Sequence, residues 1–574
     1  MRRIVSSPSS LRAIALGLVA FAGLVGVHGC TYVTNTTAVQ CTSEAECLSL
    51  GPEFAGTTCD RTTKTCIRVP EDDGLCSHNS ECIDKAGGIP AICRKRDRKC
   101  VTLQTPECPT VMAQPGQLIN DDAIIIGALT PAGHTQLGDI MEKALELSQA
   151  DFSKQVRGLP ALDDSGNTRP LVIVACHEFG AEGYTGLVRA GEHLAKDIGV
   201  PINIGPVDPA NGAYVLGQVM NPNRVLSILP LGTSTNLFKV ANPIAPTPIT
   251  WATTMSDETI ATATGLLITK EIEPKLRASG VTGPIRVAML VEDNAFGLTT
   301  ADLVQGKLNF NNTDAAGNAS ASPPNYLRLN IGDLNDAVGN PSPEAKIAAA
   351  IGATLGFKPH VVIHSYGPGA IGKTFFPLAF GWPQGLPHAY HIDVVGTFGL
   401  FDPLFEIIDT VHLQGKVISE VAHQPDKSRV SQWTIKYRSE YPQFRDSPLP
   451  DFPNIQAWYD SAYLAAYAIV ANGKKPLTGE NVAQTLPLLL PPGQPIFTGT
   501  EDINKALGLL KSGSGIDLNG LAGNMDIDPR TGRPNYDLDF TCPETDAVTK
   551  KTTRFKYSGV SLLNNIATGT LACD

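Results

Sequence analysis

Short apolar runs alternate with segments of helical period from residue 121 onward. The runs have the length of β-strands and no period-two alternation, as expected of strands buried on both faces. They occupy 123–126, 171–175, 200–204, 225–229, 285–291 and 360–364. Residues 139–155 place apolar or small side chains at i, i+3, i+4, i+7 and i+11 from Met141, which is one face of a helix. This alternation predicts an α/β fold with parallel sheets between layers of helices.

The length of the chain predicts more than one domain. At 574 residues it exceeds the size at which a single hydrophobic core usually stops growing. The strand-and-helix region, about 420 residues long, has room for two lobes. We therefore predict two doubly wound parallel-sheet lobes with a central cleft, which is where such folds usually bind ligands.

The charge of the chain argues against one class of partner. Its formal net charge is -11 at pH 7, with 18% charged and 42% hydrophobic residues, the composition of a globular protein. Nucleic-acid binding needs clustered Lys and Arg, and the one basic stretch, at 94–99, lies among cysteines and has the pattern of a solvated loop. No nucleic-acid partner is expected.

The N-terminus has the pattern of an export signal. Three arginines within the first twelve residues precede an apolar run at 13–27, which is short for a membrane span. The residues VHGC that follow, ending at Cys30, resemble a bacterial lipobox. We predict a signal peptide over 1–29 and lipidation of Cys30, which would anchor the chain to a membrane. The alternative is a plain signal peptide cut nearby, with Cys30 left to form a disulfide.

Eight of the 13 cysteines form an internal repeat. The copies are Cys41, Cys47, Cys59 and Cys66, and then Cys76, Cys82, Cys93 and Cys100. Spacings of 6, 12 and 7 residues recur as 6, 11 and 7. Neither copy holds enough large apolar residues for a core, so we predict two stabilising disulfides within each copy. Zinc binding is the alternative, but it usually requires closer Cys-x-x-Cys pairs than the repeat contains.

Four cysteines lie outside the repeats and the lipobox. They are Cys108, Cys176, Cys542 and Cys573. Spacing alone cannot establish their pairing, and the simplest arrangement joins Cys108 to Cys176 and Cys542 to Cys573.

Six segments of the long α/β region resemble one family in the family's own order. They read AIIIGALTPAGHTQLGDIMEKALELSQADF, LVIVACHEFG, RVLSILPLGTSTNLF, RVAMLVEDNAFG, QAWYDSAYLAAYAI and LNGLAGNMDIDPRTGRPNYDLDF. Together they resemble the type 1 periplasmic binding proteins of the leucine/isoleucine/valine-binding family. The resemblance implies three crossings of the chain between the lobes. The implied parts are a cysteine-rich spacer over 30–110 (repeats 41–66 and 76–100), lobe one at about 121–250 and 421–515, lobe two at about 251–420 and 516–541, and a tail at 542–574.

The resemblance also implies a function. Members of this family hold a small solute between the lobes and deliver it to an ABC permease, or report its presence to a receptor. The implied protein is a binding protein and not an enzyme, has no cofactor, and works at the periplasmic or cell-surface face of a bacterial membrane. A sensing or envelope-interaction module without transport is the main alternative.

In lobe one, the resemblance marks four ligand positions, two of which depart from the amino-acid-binding pattern. Thr233 matches the threonine that binds the ligand carboxylate, and Leu231 lies in the same loop. Asp208 replaces a serine and would repel a carboxylate. Leu137 replaces an aromatic residue. Thr233 has an equally simple interpretation as a turn hydroxyl or a helix cap.

In lobe two, the resemblance marks three further positions. Phe296 matches an aromatic residue but lacks its hydroxyl, and Asp393 is the nearest candidate for the acid that binds the ligand ammonium. Tyr366 is the phenol expected to face the cleft. With the amino-acid chemistry only partly kept, we predict a less zwitterionic ligand, such as a larger amphipathic or aromatic molecule.

One motif favours a different activity. Residues 367–374 match the phosphate loop G-x-x-x-x-G-K-[ST] after a predicted strand, so Lys373 and Thr374 would bind a nucleotide and its magnesium. Pro377 and the Gly-Trp-Pro sequence that follows limit the helix this loop requires. We therefore expect an ordinary helix start here, with a nucleotide-using enzyme as the remote alternative.

Overall fold

The computed structural model contains two units, Met1–Gly74 and Leu75–Asp574. The residues it describes are 39–42, 46–47, 50–51, 54, 57–60, 63–68, 75–133, 136–163, 165–178, 183–207, 209–235, 237–238, 247–334, 343–394, 396, 398, 403–424, 426–447, 453–534, 536–546 and 548–573. The predicted signal peptide and Cys30 lie outside this set.

The first unit contains a disulfide-bonded hairpin. Strands β1 (Thr57–Asp60) and β2 (Thr65–Arg68) pair antiparallel, with Cys59 opposite Cys66. The disulfides are Cys41–Cys59 and Cys47–Cys66. We call this unit module one. Within its described residues, these two cross-links supply the stability that a segment with few large apolar side chains cannot draw from a core.

The second repeat, which we call module two, builds the same frame at the start of the second unit. It has a short helix, α1 (Asn79–Lys85), and an antiparallel hairpin of β3 (Ala91–Arg94) and β4 (Lys99–Thr102). Its disulfides are Cys76–Cys93 and Cys82–Cys100. In both modules the first cysteine is bonded to the third and the second to the fourth. The prediction of two disulfides within each copy is confirmed.

Strands and helices alternate along the rest of the second unit. In chain order, β5 to β26 are Thr110–Met112, Ile124–Thr130, Leu159–Pro160, Thr168–Arg169, Leu171–His177, Ile202–Ile204, Leu226–Leu229, Thr250–Ala252, Val287–Glu292, Asn309–Phe310, Thr313–Asp314, Tyr326–Gly332, Val361–Ser365, Tyr390–Asp393, Val417–Ala422, Gln494–Phe497, Ile516–Asn519, Ile527–Asp528, Arg533–Pro534, Leu538–Thr545, Thr552–Leu563 and Ile566–Gly569. In chain order, α2 to α15 are Gln136–Val156, Gly183–Glu192, Pro209–Val215, Asp257–Leu267, Glu273–Ala278, Ala295–Lys307, Ala315–Ser320, Pro343–Phe357, Pro368–Phe380, Leu404–Val411, Lys427–Glu440, Pro453–Ala471, Gly479–Ala483 and Ile503–Lys511. Within the described residues, no helix combines the length and apolar character needed to cross a membrane.

Lobe one is built on a six-stranded sheet. Its strand order is β12-β11-β10-β6-β9-β5, and all neighbours are parallel except β5, which runs antiparallel to β9. The central strands are continuous apolar runs because helices cover them. Helices α2 and α13 pack together there, with ring centroids of Phe152 and Tyr463 4.8 Å apart. The Cys108–Cys176 disulfide ties the segment before β5 to β9, which confirms the predicted pair.

Lobe two is built on an eight-stranded sheet. Its order is β16-β13-β17-β18-β19-β24-β25-β26, parallel up to β19 and antiparallel from there. The last two strands come from the segment expected to be a tail at 542–574, which therefore belongs to the lobe-two sheet. The mixed polar and apolar sequence of β25 gives no clear strand signal. The predicted Cys542–Cys573 disulfide is present and closes this segment onto the sheet.

Module two is bound to lobe one by polar and apolar contacts. The guanidinium groups of Arg94 and Arg96 donate to the backbone carbonyls of Asp197 and Lys196, at the C-terminal end of a helix. Cations are favoured at that end of a helix. Ile92 joins the hydrophobic core of the lobe. The cysteine-rich region expected as one spacer over 30–110 is therefore divided, because its second repeat packs with the α/β unit.

The chain crosses between the lobes three times, after Ala252, after Ala422 and after Ile527. The third crossing lies beyond the boundary expected near residue 515. The reason is that β21 pairs with β20 and buries its apolar side chains in lobe one. At this crossing Gly532 has φ +71°, and a Cβ there would lie 2.2 Å from the carbonyl oxygen of Thr250. Only glycine allows the crossing segments to approach this closely.

Candidate functional site

The candidate site lies where the parallel strands of each lobe end. In lobe one, the chain leaves β6 for β9 on one side, whereas β10 lies on the other side of β6. In lobe two, β16 and β17 flank β13 in the same way. Parallel sheets form a ligand crevice at such switch points, outside the carboxyl ends of the strands. The loops after β6, β10, β13 and β17 are therefore the expected places for ligand contacts.

The switch point of lobe one is held by a buried carboxylate. Gly205, directly after β10, has φ +93°, and a Cβ there would lie 2.2 Å from the carbonyl oxygen of Leu129 on β6. In the same loop, after Pro206, Val207 donates its backbone N–H to the Glu178 carboxylate. Glu178 follows β9, is 1% exposed, and donates its own N–H to Thr130 at 2.8 Å. One acid therefore fixes the loop on which the predicted ligand residue Asp208 stands, although Asp208 itself lies outside the described residues.

The switch point of lobe two has a corresponding acid. Glu292 ends β13, and its carboxylate accepts the N–H of Gly367, in the loop that follows β17, at 3.0 Å. Burial raises the pKa of Glu292, although the hydrogen bond from Gly367 favours the ionised form. The Asn294 side chain caps helix α7 by accepting the N–H of Gly297 at 2.8 Å. This capped helix start and the buried Glu292 carboxylate both lie at the carboxyl end of β13.

A hydrogen-bonded cluster joins the two lobes at this edge. Asp257, the first residue of α5 in lobe two, accepts both the N–H and the hydroxyl of Thr235 in lobe one. Arg533, in the third crossing, donates to the same carboxylate at 2.9 Å and pairs with Glu258 at 2.9 Å. Burial raises the pKa of Asp257, while the Thr235 bonds and the Arg533 charge act in the opposite direction. We call Thr235, Asp257 and Arg533 the interlobe cluster.

One predicted ligand residue of lobe one, Thr233, lies beside this cluster. Thr233 is 9% exposed, and its carbonyl accepts the N–H of Asp257 at 3.1 Å. Leu137 and Leu231 are partly buried against the core of the lobe. Between the two threonines of the loop, the Ser234 hydroxyl is buried with no hydrogen-bond partner among the described residues. The loop therefore offers one unused hydroxyl that the sequence comparison with the family did not single out.

Two predicted residues of lobe two have a different place from the expected one. Tyr366 was expected to face the cleft, but it is fully buried and its hydroxyl is hydrogen-bonded to Nδ1 of His364 at 2.6 Å. Asp393 was expected to bind an ammonium group, but its carboxylate is fully buried and accepts Phe398 N–H at 2.6 Å and the Ser419 hydroxyl at 3.0 Å. Both groups are hydrogen-bonded inside the lobe, which differs from the expected placement, and their roles toward a ligand stay predictions.

Phe296, the third predicted residue of lobe two, is also buried. It is 7% exposed and belongs to the hydrophobic core of that lobe, at the start of α7. Its ring therefore packs into the core of lobe two beneath the first turn of α7. The structure brings Thr233 and Leu231 together in one loop, and it keeps Phe296, Tyr366 and Asp393 within lobe two.

The phosphate-loop match at 367–374 is an ordinary helix start. Gly367 is the N-cap of α10, so the Lys and Thr of the motif lie in the second turn of the helix. The Lys373 ammonium is about half exposed and lies 3.9 Å from the Glu344 carboxylate. The Thr374 hydroxyl is buried and donates to the Ala370 carbonyl at 2.6 Å, so it is used within the helix. This geometry argues against nucleotide binding at the motif.

Glu178, Glu292 and the interlobe cluster were missed by sequence reasoning. A signal for the two glutamates exists, because each stands directly at the end of a buried apolar strand. A charged residue at that position in a parallel sheet often belongs to a site. Arg533 has no such signal, since it lies in a polar turn far from its partner along the chain.

Comparisons with known proteins identify the fold. No protein-family model matches the sequence, and no curated protein matches it. Three solved structures superpose with a TM-score of 0.51 each. A leucine-binding protein of Thermotoga maritima is 12% identical, with 76% of this chain and 97% of that chain covered. A branched-chain amino acid transporter substrate-binding protein of Streptococcus pneumoniae, in complex with isoleucine, is 12% identical, with 76% and 99% covered.

The third structure has another kind of ligand. It is a solute-binding protein of an ABC transporter from Rhodopseudomonas palustris in complex with 3,4-dihydroxybenzoic acid. It is 13% identical, with 79% of this chain and 99% of that chain covered. At these identities the similarity establishes the fold: the chain has the type 1 periplasmic binding fold, as the sequence motifs predicted.

Proposed function

We propose that this protein is an extracytoplasmic solute-binding protein that captures a small organic solute between its two lobes. The observation that carries the proposal is the placement of the Thr233 loop against the first turn of α5 in the opposite lobe, at the carboxyl ends of the strands. A solute held there would contact both lobes, so binding would favour their closed arrangement. An ABC-type permease is the proposed recipient, and no chemical step is proposed.

The proposed solute is less zwitterionic than an amino acid. Solved structures similar to this chain hold isoleucine or an aromatic acid, so the fold alone does not select one class. In this chain Asp393, the expected acid for an ammonium group, is used by Phe398 and Ser419. The Thr233 and Ser234 hydroxyls remain as donors for an acceptor group such as a carboxylate. An amphipathic or aromatic molecule with one such group fits these residues best.

Leucine, isoleucine and valine are expected to bind poorly. Losing the partner of a charged ligand group costs about 1.5–3 kcal/mol, or one to two decades of affinity. Isothermal titration calorimetry with these amino acids should give no binding in the micromolar range. A thermal-shift screen of aromatic and amphipathic acids should identify tighter ligands, and Thr233→Ala should weaken them about tenfold or more.

Thr300→Ala is the matched control for that variant. It removes another buried hydroxyl, in helix α7 of lobe two. Tight leucine binding that is abolished by Thr233→Ala but kept in Thr300→Ala would contradict the proposed ligand class. In that case the ordinary amino-acid activity of such proteins would be intact.

A sensing or envelope-interaction role is the second candidate. The observation that favours it is the pair of disulfide-bonded modules before lobe one, which a solute carrier does not need for capture. A gene for a permease and its ATPase beside this one would favour transport. A neighbouring sensor kinase gene, or none of these, would favour sensing.

We propose that Cys30 is acylated and anchors the chain at the outer face of a bacterial membrane. The VHGC sequence after a basic and apolar leader supports this. The wild-type protein is expected to sediment with membranes, whereas Cys30→Ala is expected in the soluble or unprocessed fraction. Cys30→Ser tests the same thiol with a smaller change. A soluble wild-type protein with a mature N-terminus elsewhere would exclude lipidation.

A further inference from the structure

A cavity of about 90 Å³ lies in lobe one, away from the loops that form the cleft. It opens between helix α12, helix α13 and the loop that follows β20. Its lining residues are Arg429, Gln432, Trp433, Lys436, Tyr459 and the 498–501 loop with Leu521. None of these residues follows a strand of the six-stranded sheet, so the cavity is separate from the proposed solute site.

The inner wall of the cavity is apolar and largely aromatic. Trp433 and Tyr459 pack edge to face, with ring centroids 5.7 Å apart. Leu521 completes this wall. The Tyr459 hydroxyl points elsewhere, since it donates to the buried Asp151 carboxylate at 2.5 Å. A flat apolar group of a ligand would therefore meet a rigid, preformed surface, which lowers the entropic cost of binding.

The rim of the cavity carries Arg429 and Gln432, one turn apart on α12. Lys436, one further turn along the helix, donates to the buried Asp151 carboxylate and is therefore used within the lobe. The Arg429 side chain is held in place by Phe497, whose ring centre lies 4.3 Å from the guanidinium carbon. Gly499, with φ +132°, has open space where a Cβ would stand. The backbone of the loop therefore leaves the entrance unobstructed.

Arg429 pairs with two acids of the chain. Its Nε lies 3.2 Å from the Asp426 carboxylate, and the more exposed acid, Glu501, occupies the position proposed for a ligand carboxylate. Glu501 accepts from Arg429 Nη1 at 3.3 Å, and its side chain is 66% exposed. Exposed ion pairs of this kind contribute little and exchange readily. A guanidinium binds a carboxylate through two parallel N–H groups, which an external ligand can satisfy better than a long mobile side chain.

We propose that this cavity is a second binding site, for a small monocarboxylate with a flat apolar body. The carboxylate exchanges with Glu501 on Arg429, near Gln432. The apolar body lies against Trp433 and Tyr459. This site is independent of the proposed solute cleft.

Benzoate is the probe, and neutral benzamide is its control of the same shape. In calorimetry on the full chain, benzoate is expected to bind saturably. The affinity for benzamide is expected to be lower by at least about tenfold. Arg429→Gln is expected to weaken benzoate about tenfold, as is Gln432→Glu, which adds a repelling charge at an exposed position. Arg445→Gln, an exposed arginine of the same lobe, should leave the affinity unchanged. Because benzoate also belongs to the ligand class proposed for the cleft, the titration is repeated in Thr233→Ala, where saturable binding that depends on Arg429 should remain.

Two results would overturn the proposal. The first is the absence of saturable benzoate binding at millimolar concentration. The second is benzoate binding that Thr233→Ala abolishes and Arg429→Gln leaves intact, which would place benzoate in the cleft and support only the proposed solute site. If Thr233→Ala has no effect on any ligand but Arg429→Gln still weakens benzoate, the proposed cleft site would be wrong and the second site would stand.

Discussion

Replacing Arg533 with alanine is expected to lower the free energy of unfolding by about 3–5 kcal/mol. The Asp257 carboxylate is 0% exposed and the Arg533 side chain 13% exposed, so the pair has little contact with water. Without the guanidinium, Asp257 keeps the bonds from Thr235 but loses the opposite charge. Breaking a buried pair from one side is costly because the remaining charge is left uncompensated. Chemical denaturation of the full chain, followed by circular dichroism, measures the difference.

Arg530→Ala is the matched control, three residues earlier in the same segment. The Arg530 side chain is 86% exposed, and it pairs with Asp528 at 2.9 Å on the surface. Screening by water makes such a pair nearly neutral, so no measurable change in stability is expected. Equal effects of the two substitutions would show that the interlobe cluster contributes nothing special. An Arg533→Ala protein as stable as the wild type would have the same meaning.

Replacing both Cys108 and Cys176 with serine is expected to destabilise lobe one by about 4 kcal/mol. The two cysteines are 68 residues apart, so the disulfide restricts a long loop of the unfolded chain. In the folded chain it holds the segment before β5 against β9. Thermal unfolding under non-reducing conditions should show the transition at a lower temperature, with the other disulfides intact.

A second pair of serines provides the control. Cys41 and Cys59 are 18 residues apart and belong to module one. Their replacement removes a disulfide of the other unit, so the transition of lobe one should stay within experimental error. If both double variants lower that transition equally, the effect of Cys108–Cys176 would not be a local one.

The buried parallel strands were predictable because they are continuous apolar runs. The run at 171–175 became β9, Leu171–His177, and the run at 285–291 became β13, Val287–Glu292. The eight cysteines of the repeats were equally readable, because spacing and duplication are properties of the sequence itself. The strands that close the lobe-two sheet were not, since β25 mixes polar and apolar residues without a regular period.

The site was less predictable than the fold, for a physical reason. Whether Tyr366 faces a ligand or the core depends on His364 and on the packing around it, which no local pattern encodes. The role of Asp393 likewise depends on Ser419, a residue of the neighbouring strand. The interlobe cluster joins residues almost 300 positions apart, so only the folded chain brings Arg533 to Asp257. An apolar run in the sequence indicates that a strand is buried, whereas ligand contacts depend on which loops the folded chain brings together.

The two disulfide modules show that one cross-linked frame can carry different side chains at equivalent positions. Arg94, which binds module two to lobe one, corresponds to Asp60 in module one, and Arg96 corresponds to Thr62. All four cysteines are present in both copies, whereas these positions differ in charge. A domain that relies on covalent bonds for its stability can exchange its surface residues without unfolding. The same covalent frame can therefore present a pair of lobe-binding arginines in one copy and unrelated side chains at the same positions in the other.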